Sequence, residues 1–282
     1  MGQMYTQHFQ LSSPCVDTPI AFWHGGGLTG ASWETTPDGR SGWLDYFLRK
    51  GFSAYLCDAF ERGRSPMPPP HTLSEQPEYR SLDSVWHHFR FGSAQADDGN
   101  VLKNPRKVAY SGQQFPVESL LAFGQQFVPR LTNSDHLSMA AYASFLEHVG
   151  QCYVIGHSQG GTFAVRSALA NRRFIRAVVA LEPPVTEECI AELECDAGGE
   201  IPPHLFVFGD YIRGANETWE AYLLNVERYC HLLREKGTAC QLLELPDIGV
   251  YGNSHMLQMD KNGNQVAGVI KDWLLSLEDC DD

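Results

Sequence analysis

The chain has 282 residues, 43% hydrophobic and 20% charged, with a formal net charge of −13 from 34 acidic and 21 basic side chains. Length and composition suit one folded unit carrying an insertion and exclude a disordered or fibrous chain. The acidic balance repels phosphate backbones, so no nucleic-acid partner is expected. No run reaches the roughly 18 apolar residues that a membrane span requires.

Residues Tyr5 to Leu11 alternate as a first strand. The pattern Met1-Gly2-x-x-x-Thr6 formally fits a myristoylation site, but the strand reading of this segment is preferred. Residues 1–20 hold no charged stretch followed by an apolar one, so no secretory leader is expected. The eight cysteines form no Cys-x-x-Cys pair. They read as reduced thiols, and a cytoplasmic location is the expectation.

The apolar run Thr18 to Trp23 reads as a buried strand and leads straight into His24-Gly25-Gly26-Gly27. Glycines after a strand let the backbone come close to a ligand. The N–H groups of Gly25, Gly26 and Gly27, with that of Gln159, are candidate donors to a tetrahedral oxyanion. His24 is expected to brace this loop. A phosphate cradle is the rival reading, but neither the Gly-x-x-x-x-Gly-Lys nor the Gly-x-Gly-x-x-Gly spacing is present.

A helix follows at Trp43, Leu44, Phe47 and Leu48, then a strand at Phe52 to Cys57. Between Ala59 and Leu137 the alternation fails. Pro66, Pro68, Pro69 and Pro70 break regular structure, and Tyr79, Trp86, Phe89, Phe91, Phe115, Phe123 and Phe127 follow. That much aromatic area is costly to leave in water. Residues 61–136 are therefore expected to form a cap or lid over a core made of 1–60 and 137–282, with Trp86, Phe89, Phe115 and Phe123 as candidate pocket residues. The plainer alternative is a helical decoration that buries those rings in a small core of its own.

Strands resume at Cys152 to Ile155, Ile175 to Leu181, Leu205 to Phe208 and Cys240 to Leu245, with a last helix from Val266 to Leu277 and an acidic tail. Strands alternating with helices imply a mostly parallel sheet covered on both faces, the α/β class. In Gly156-His157-Ser158-Gln159-Gly160 an apolar strand meets the helix Thr162 to Ala170. A serine in such an elbow sits in a strained conformation at the carboxyl edge of the sheet and at a helix N-terminus. Ser158 is thus the candidate nucleophile.

A serine hydroxyl needs an imidazole to take its proton and a carboxylate to orient that imidazole. His255, in Gly252-Asn253-Ser254-His255-Met256, is the one histidine after the last strand and is the candidate base. Glu182 and Asp210 each follow a strand, and the residues alone leave the choice between them open. The adjacent His87 and His88 would point different ways, and no His-Glu-x-x-His cluster occurs, so neither a metal nor another cofactor is expected.

The runs His24 to Gly30, Trp33-Glu34-Thr35-Thr36-Pro37-Asp38-Gly39-Arg40, Arg62-Gly63-Arg64-Ser65, Gly156 to Gln159 and Gly252 to Met256 together resemble the esterase-713-like subgroup of α/β-hydrolase fold serine esterases. The resemblance runs from about residue 20 to the C-terminus and is weak over Pro66 to Leu131. It implies the α/β-hydrolase fold and an ester-type hydrolase, with Glu182 as the acid and Asp210 as runner-up. The expected reaction is cleavage of a carboxylic ester or lactone through an acyl-Ser158 intermediate, on a small molecule with a hydrophobic or aromatic acyl or alcohol part. A lyase or other non-hydrolytic step using the same triad is the alternative, and a non-catalytic binding protein a third. Self-association as a homodimer is compatible with the sequence.

Overall fold

The structure, a computed structural model, describes residues 2–69, 71, 75–95 and 106–278. Parts of the expected insertion, residues 70, 72–74 and 96–105, lie outside the described residues, as do Cys280 and residues 279–282 of the expected acidic tail.

The apolar runs form strands close to where periodicity places them: β1 (Tyr5–Phe9), β2 (Val16–Trp23), β3 (Phe52–Asp58), β6 (Cys152–His157), β7 (Ile175–Leu181), β8 (His204–Phe208) and β9 (Cys240–Glu244). They make a seven-stranded sheet in the order β1-β3-β2-β6-β7-β8-β9. Strand β1 runs antiparallel to β3 and every other pairing is parallel. A parallel sheet has helices on both faces, so its inner strands are apolar throughout, and every residue of β6 and β8 is buried.

Helices α5 (Asp135–Val149), α6 (Gln159–Ala170), α7 (Glu187–Cys195) and α8 (Glu217–Glu235) cover one face, packing Tyr142, Phe163, Ile190 and Trp219 against Trp23, Val154 and Phe206. Helices α1 (Ala31–Glu34), α2 (Trp43–Arg49) and α9 (Gly263–Glu278) cover the other, packing Trp33, Trp43, Phe47 and Ile270 against Phe22, Ile155 and Val207. Among the described residues no helix is long and apolar enough to cross a membrane, and the seven described cysteines are free.

The chain enters at the edge strand β1, crosses to β2, fills the gap with β3, and then builds from β6 towards β9 on the other side of β2. The carboxyl ends of β2 and β6 therefore flank the point where the strand order reverses, which is where open α/β sheets leave a crevice. Trp23 and His157 end those two strands, so the glycine loop and the serine elbow meet there.

Residues 61–136 hold α3 (Leu82–His88), the antiparallel pair β4 (Gly92–Gln95) and β5 (Arg106–Ala109), and α4 (Leu120–Gly124). Their rings Trp86, Phe89, Phe91, Phe115 and Phe123 pack on one another and on Leu28, Met256 and Met259. The segment is tied to the core by backbone bonds, Val128 N–H to Gly27 O at 3.0 Å and Gln114 N–H to Gly252 O at 2.8 Å.

Candidate active site

Strand β6 turns into α6 through Ser158, whose φ of 52° and ψ of −120° are unusual for a residue with a side chain. Such strain costs about 1–3 kcal/mol and persists where the surroundings impose it. Here the Ser158 N–H donates to Leu181 O at 2.8 Å and its carbonyl accepts from Thr162 N–H at 3.1 Å. The flanking glycines are needed for contact. A Cβ on Gly160 would lie 2.5 Å from the carbonyl oxygens of Trp23 and His24, and one on Gly156 would lie 2.4 Å from Gly160 O.

Glu182 follows β7 with a φ of 45°, and His255 lies in the loop after β9. His255 Nδ1 and Glu182 Oε2 are 2.6 Å apart, with both side chains buried. The other oxygen, Oε1, accepts from Gly209 N–H at 2.8 Å and from Arg90 Nη2 at 2.5 Å. Asp210 points elsewhere: Oδ2 accepts from Gly252 N–H at 2.9 Å and Oδ1 from Tyr211 N–H at 2.7 Å. Both carboxylates follow strands, but only Glu182 is hydrogen-bonded to the imidazole.

His255 Nε2 is buried and has no hydrogen-bond partner among the described residues. Burial, then the Arg90 guanidinium and, more weakly, His88 when protonated and Arg80, hold this imidazole well below its ordinary pKa, so it is neutral at pH 7. No hydrogen bond joins Nε2 to the Ser158 hydroxyl in this structure, and such contacts often tighten only when substrate binds. His157, beneath the elbow, donates from Nε2 to His255 O at 2.9 Å. His24 braces the glycine loop: Nδ1 donates to Gly25 O at 2.9 Å and Nε2 accepts from Ala59 N–H at 3.0 Å.

The loop carrying His255 is fastened from below. Asp260 accepts from Ser254 N–H and Asn253 Nδ2 at 2.9 Å and from Ser254 Oγ at 2.7 Å. Burial raises its pKa to about 7. Arg40 donates to the carbonyls of Met259 at 2.7 Å and Asp260 at 3.0 Å, and Asp38 holds its guanidinium through two further bonds. The Trp33–Arg40 run is thus a clamp on the loop that presents His255.

The candidate oxyanion donors lie together. A Cβ on Gly25 would sit 3.2 Å from Ser158 Cβ, and one on Gly26 would sit 3.0 Å from Gln159 Oε1. The carbonyls of Gly25, Gly26 and Gly27 are taken by Leu28 N–H, Arg80 Nε and Val128 N–H at 3.2, 3.1 and 3.0 Å. Gln159 opens α6, so its N–H has no acceptor within the helix.

Beside Ser158 is a cavity of about 350 Å³ walled by Arg80, Arg130, Arg166, Asp135, Trp219 and Tyr222, among others. Trp86, Phe89, Phe115 and Phe123, expected as pocket residues, do not line it. They are 4, 2, 1 and 0% exposed because they bury one another, and Phe89 alone touches the site, with its ring 4.8 Å from that of His255. Apolar area decided their fate, as in the plainer of the two readings of the insertion. Among the described residues no three His, Cys, Asp or Glu side chains are grouped as a metal ion would need.

No family model matches the chain. A solved bacterial esterase, described as novel, is 32% identical to it over 96% of this chain and 84% of that one, with a TM-score of 0.81. The chain belongs to that esterase family. Its fold is the α/β-hydrolase fold, which the monoacylglycerol lipase of Paleococcus ferrophilus shares at 14% identity, a TM-score of 0.51, and 98% and 99% coverage of the two chains. Probable secreted lipase phiG of a fungal species (strain ATCC 74256) is 26% identical over 96% of this chain and 85% of its own length. The protein is accordingly an ester hydrolase of this fold.

Several residues at the esterase's site escaped the sequence reading. Arg90 stands between Phe89 and Phe91, and a cation inside an aromatic run was the available signal, since it must find a buried partner. Arg80 and Arg130 lie in the stretch without periodicity, so nothing in their spacing pointed inward. Trp219 comes from the first turn of α8, and its ring lies tilted with its centroid 4.2 Å from that of His255.

Proposed function

We propose that this esterase works through an acyl-enzyme formed on Ser158, with His255 as the base and Glu182 as the residue that orients it. The observation that carries this reading is the 2.6 Å contact between Glu182 Oε2 and His255 Nδ1, which fixes the proton on Nδ1 and leaves Nε2 as the free lone pair. Ser158 Oγ attacks the ester carbonyl carbon while His255 Nε2 takes its proton. The N–H groups of Gly25, Gly26, Gly27 and Gln159 are the candidate donors to the oxyanion. The alcohol leaves with the proton from Nε2, and a water activated by the same nitrogen releases the acid and restores Ser158. None of these steps calls for a cofactor.

Residues 61–136 act in this reading as a cap on a core of 1–60 and 137–282. The support is that Phe89 O accepts from His255 N–H at 3.0 Å and that Arg80 and Arg130 wall the cavity. The free cysteines agree with a reducing, cytoplasmic setting, although the fungal relative is named as secreted. The test is turnover of 4-nitrophenyl esters by Ser158→Ala. Loss of turnover in a folded variant supports the reading, and retained turnover overturns it.

A further inference from the structure

The cavity beside Ser158 has a sign opposite to that of the whole protein. Three arginines face it in a chain of net charge −13. Arg166 is answered by Glu192 and Glu188 at 2.5 and 3.3 Å, and Arg130 by Glu78 at 3.1 Å. Two carboxylates line the same wall, so the arginines outnumber them by one: Glu188 lies against Arg166, and Asp135 accepts from Gln159 Nε2 at 2.8 Å. Arg80 stands apart. Its Nε donates to Gly26 O at 3.1 Å, its guanidinium lies 5.4 Å over the Phe89 ring, and among the described residues no carboxylate pairs with it. Burial and the neighbouring Arg130 lower its pKa to about 10, and the more distant Glu78, which pairs with Arg130, offsets this only in part.

The position of Arg80 is built rather than incidental. A Cβ on Gly27 would sit 3.3 Å from Arg80 Nε, and one on Gly26 would sit 3.3 Å from Arg130 Nη1, so the glycine loop beside Ser158 makes room for both guanidiniums. Glu61 fixes the segment that follows Arg130, accepting from Leu131 N–H at 3.0 Å and from Ser134 Oγ at 2.9 Å. His88 on the same wall is held near pKa 4, chiefly by burial, and adds no charge at pH 7.

We infer that the ester this enzyme takes carries a carboxylate on its acyl part, which the Arg80 guanidinium receives beside Ser158, with Arg130 next to it. A guanidinium fork matches a carboxylate through two parallel hydrogen bonds. One uncompensated cation suits a monoanion better than a phosphate dianion. The inference rests on the proposed acyl-Ser158 chemistry and adds the substrate class to it.

The experiment compares kcat/KM for three isosteric 4-nitrophenyl esters: the hydrogen glutarate, its neutral methyl ester, and a phosphonate-ended counterpart. The reading is the ratio between charged and neutral esters, so a loss common to both cancels. We expect the carboxylate ester to exceed the neutral one by about tenfold or more, the ratio to fall towards one in Arg80→Gln, and Arg80→Lys to retain part of it. In the wild-type enzyme the ratio should shrink as salt rises from about 0.05 to 0.5 M, a measurement that needs no variant. A ratio at or below one, a ratio indifferent to salt, or a ratio kept in folded Arg80→Gln overturns the inference while leaving the esterase chemistry standing. A clear preference for the phosphonate overturns the carboxylate assignment. Turnover of none of the three esters overturns both the inference and the acyl-Ser158 reading.

Discussion

Glu182 Oε1 and Arg90 Nη2 lie 2.5 Å apart with both side chains buried, while Glu182 Oε2 holds His255 Nδ1 at 2.6 Å. The carboxylate therefore serves a guanidinium and a neutral imidazole N–H from two separate oxygens. Arg90 also donates from Nε to Asp210 O at 2.8 Å and lies 5.2 Å over the Trp219 ring, so one guanidinium ties the insertion to the strand ends that carry both acids.

The two carboxylates should separate cleanly in an assay. Glu182→Gln keeps the shape but presents an amide to Nδ1, and kcat should fall by on the order of 10³-fold or more, the scale at which a triad loses its tautomer. Asp210→Asn weakens bonds to Gly252 and Tyr211 N–H only, and kcat should stay within about tenfold of wild type. Steady-state rates of the two variants side by side check this, and a dead Asp210→Asn with an active Glu182→Gln would reverse the assignment.

Removing Arg90 should cost stability as well as rate. Arg90→Ala leaves Glu182 Oε1 short of its cation in a buried site, a loss of about 3–5 kcal/mol. Thermal unfolding should show a fall of many degrees in Tm, with Arg90→Lys intermediate because an ammonium cannot serve Glu182 and Asp210 O in the same fork geometry.

The Arg40 clamp can be tested apart from the chemistry. Arg40→Ala removes two bonds from a charged donor to the carbonyls of Met259 and Asp260, worth about 2 kcal/mol together after exposure is allowed for. Tm should drop and kcat should fall more than KM changes, because the loop bearing His255 loosens while the cavity keeps its walls. An unchanged Tm would show that the clamp carries no load.

The pH dependence follows from the depressed pKa of His255. The base must be neutral to act, and burial with Arg90, His88 and Arg80 keeps it neutral below its ordinary value of 6.5, so the acid limb of kcat/KM on a neutral ester should lie below pH 6.5. The same sign governs stability. In the unfolded chain His255 and His157 take up protons near 6.5, but in the fold both are held well below it, so stability from these groups is lost as pH falls through and below 6.5. Tm measured at about pH 7.5 and 5.5 should fall towards the lower value.

Much of the fold was legible because parallel strands write themselves as unbroken apolar runs. Ile175–Leu181 came out with the bounds read from sequence, and Thr18–Trp23 grew by two residues at its start. The elbow was legible because Gly156, Ser158 and Gly160 must be close in sequence to be close in space. Glu182, 73 residues from His255, could be chosen over Asp210 only through the family resemblance, since both follow strands and only geometry separates them. The aromatic residues of the insertion misled for a plain reason: Phe115 and Phe123, with ring centroids 5.2 Å apart, satisfy each other, and composition does not tell a ring packed on a ring from a ring facing a ligand. The charged cavity wall stayed hidden because Arg80 and Arg130 obey no period.

The most direct test is intact and peptide mass spectrometry of the enzyme quenched in acid within milliseconds of mixing with 4-nitrophenyl acetate. One acetyl group should appear on the peptide that contains Ser158, and none on the Ser158→Ala protein, which should also release no 4-nitrophenol above background. An acetyl group on a different residue, or burst release from Ser158→Ala equal to wild type, would contradict the assignment of Ser158 as the nucleophile.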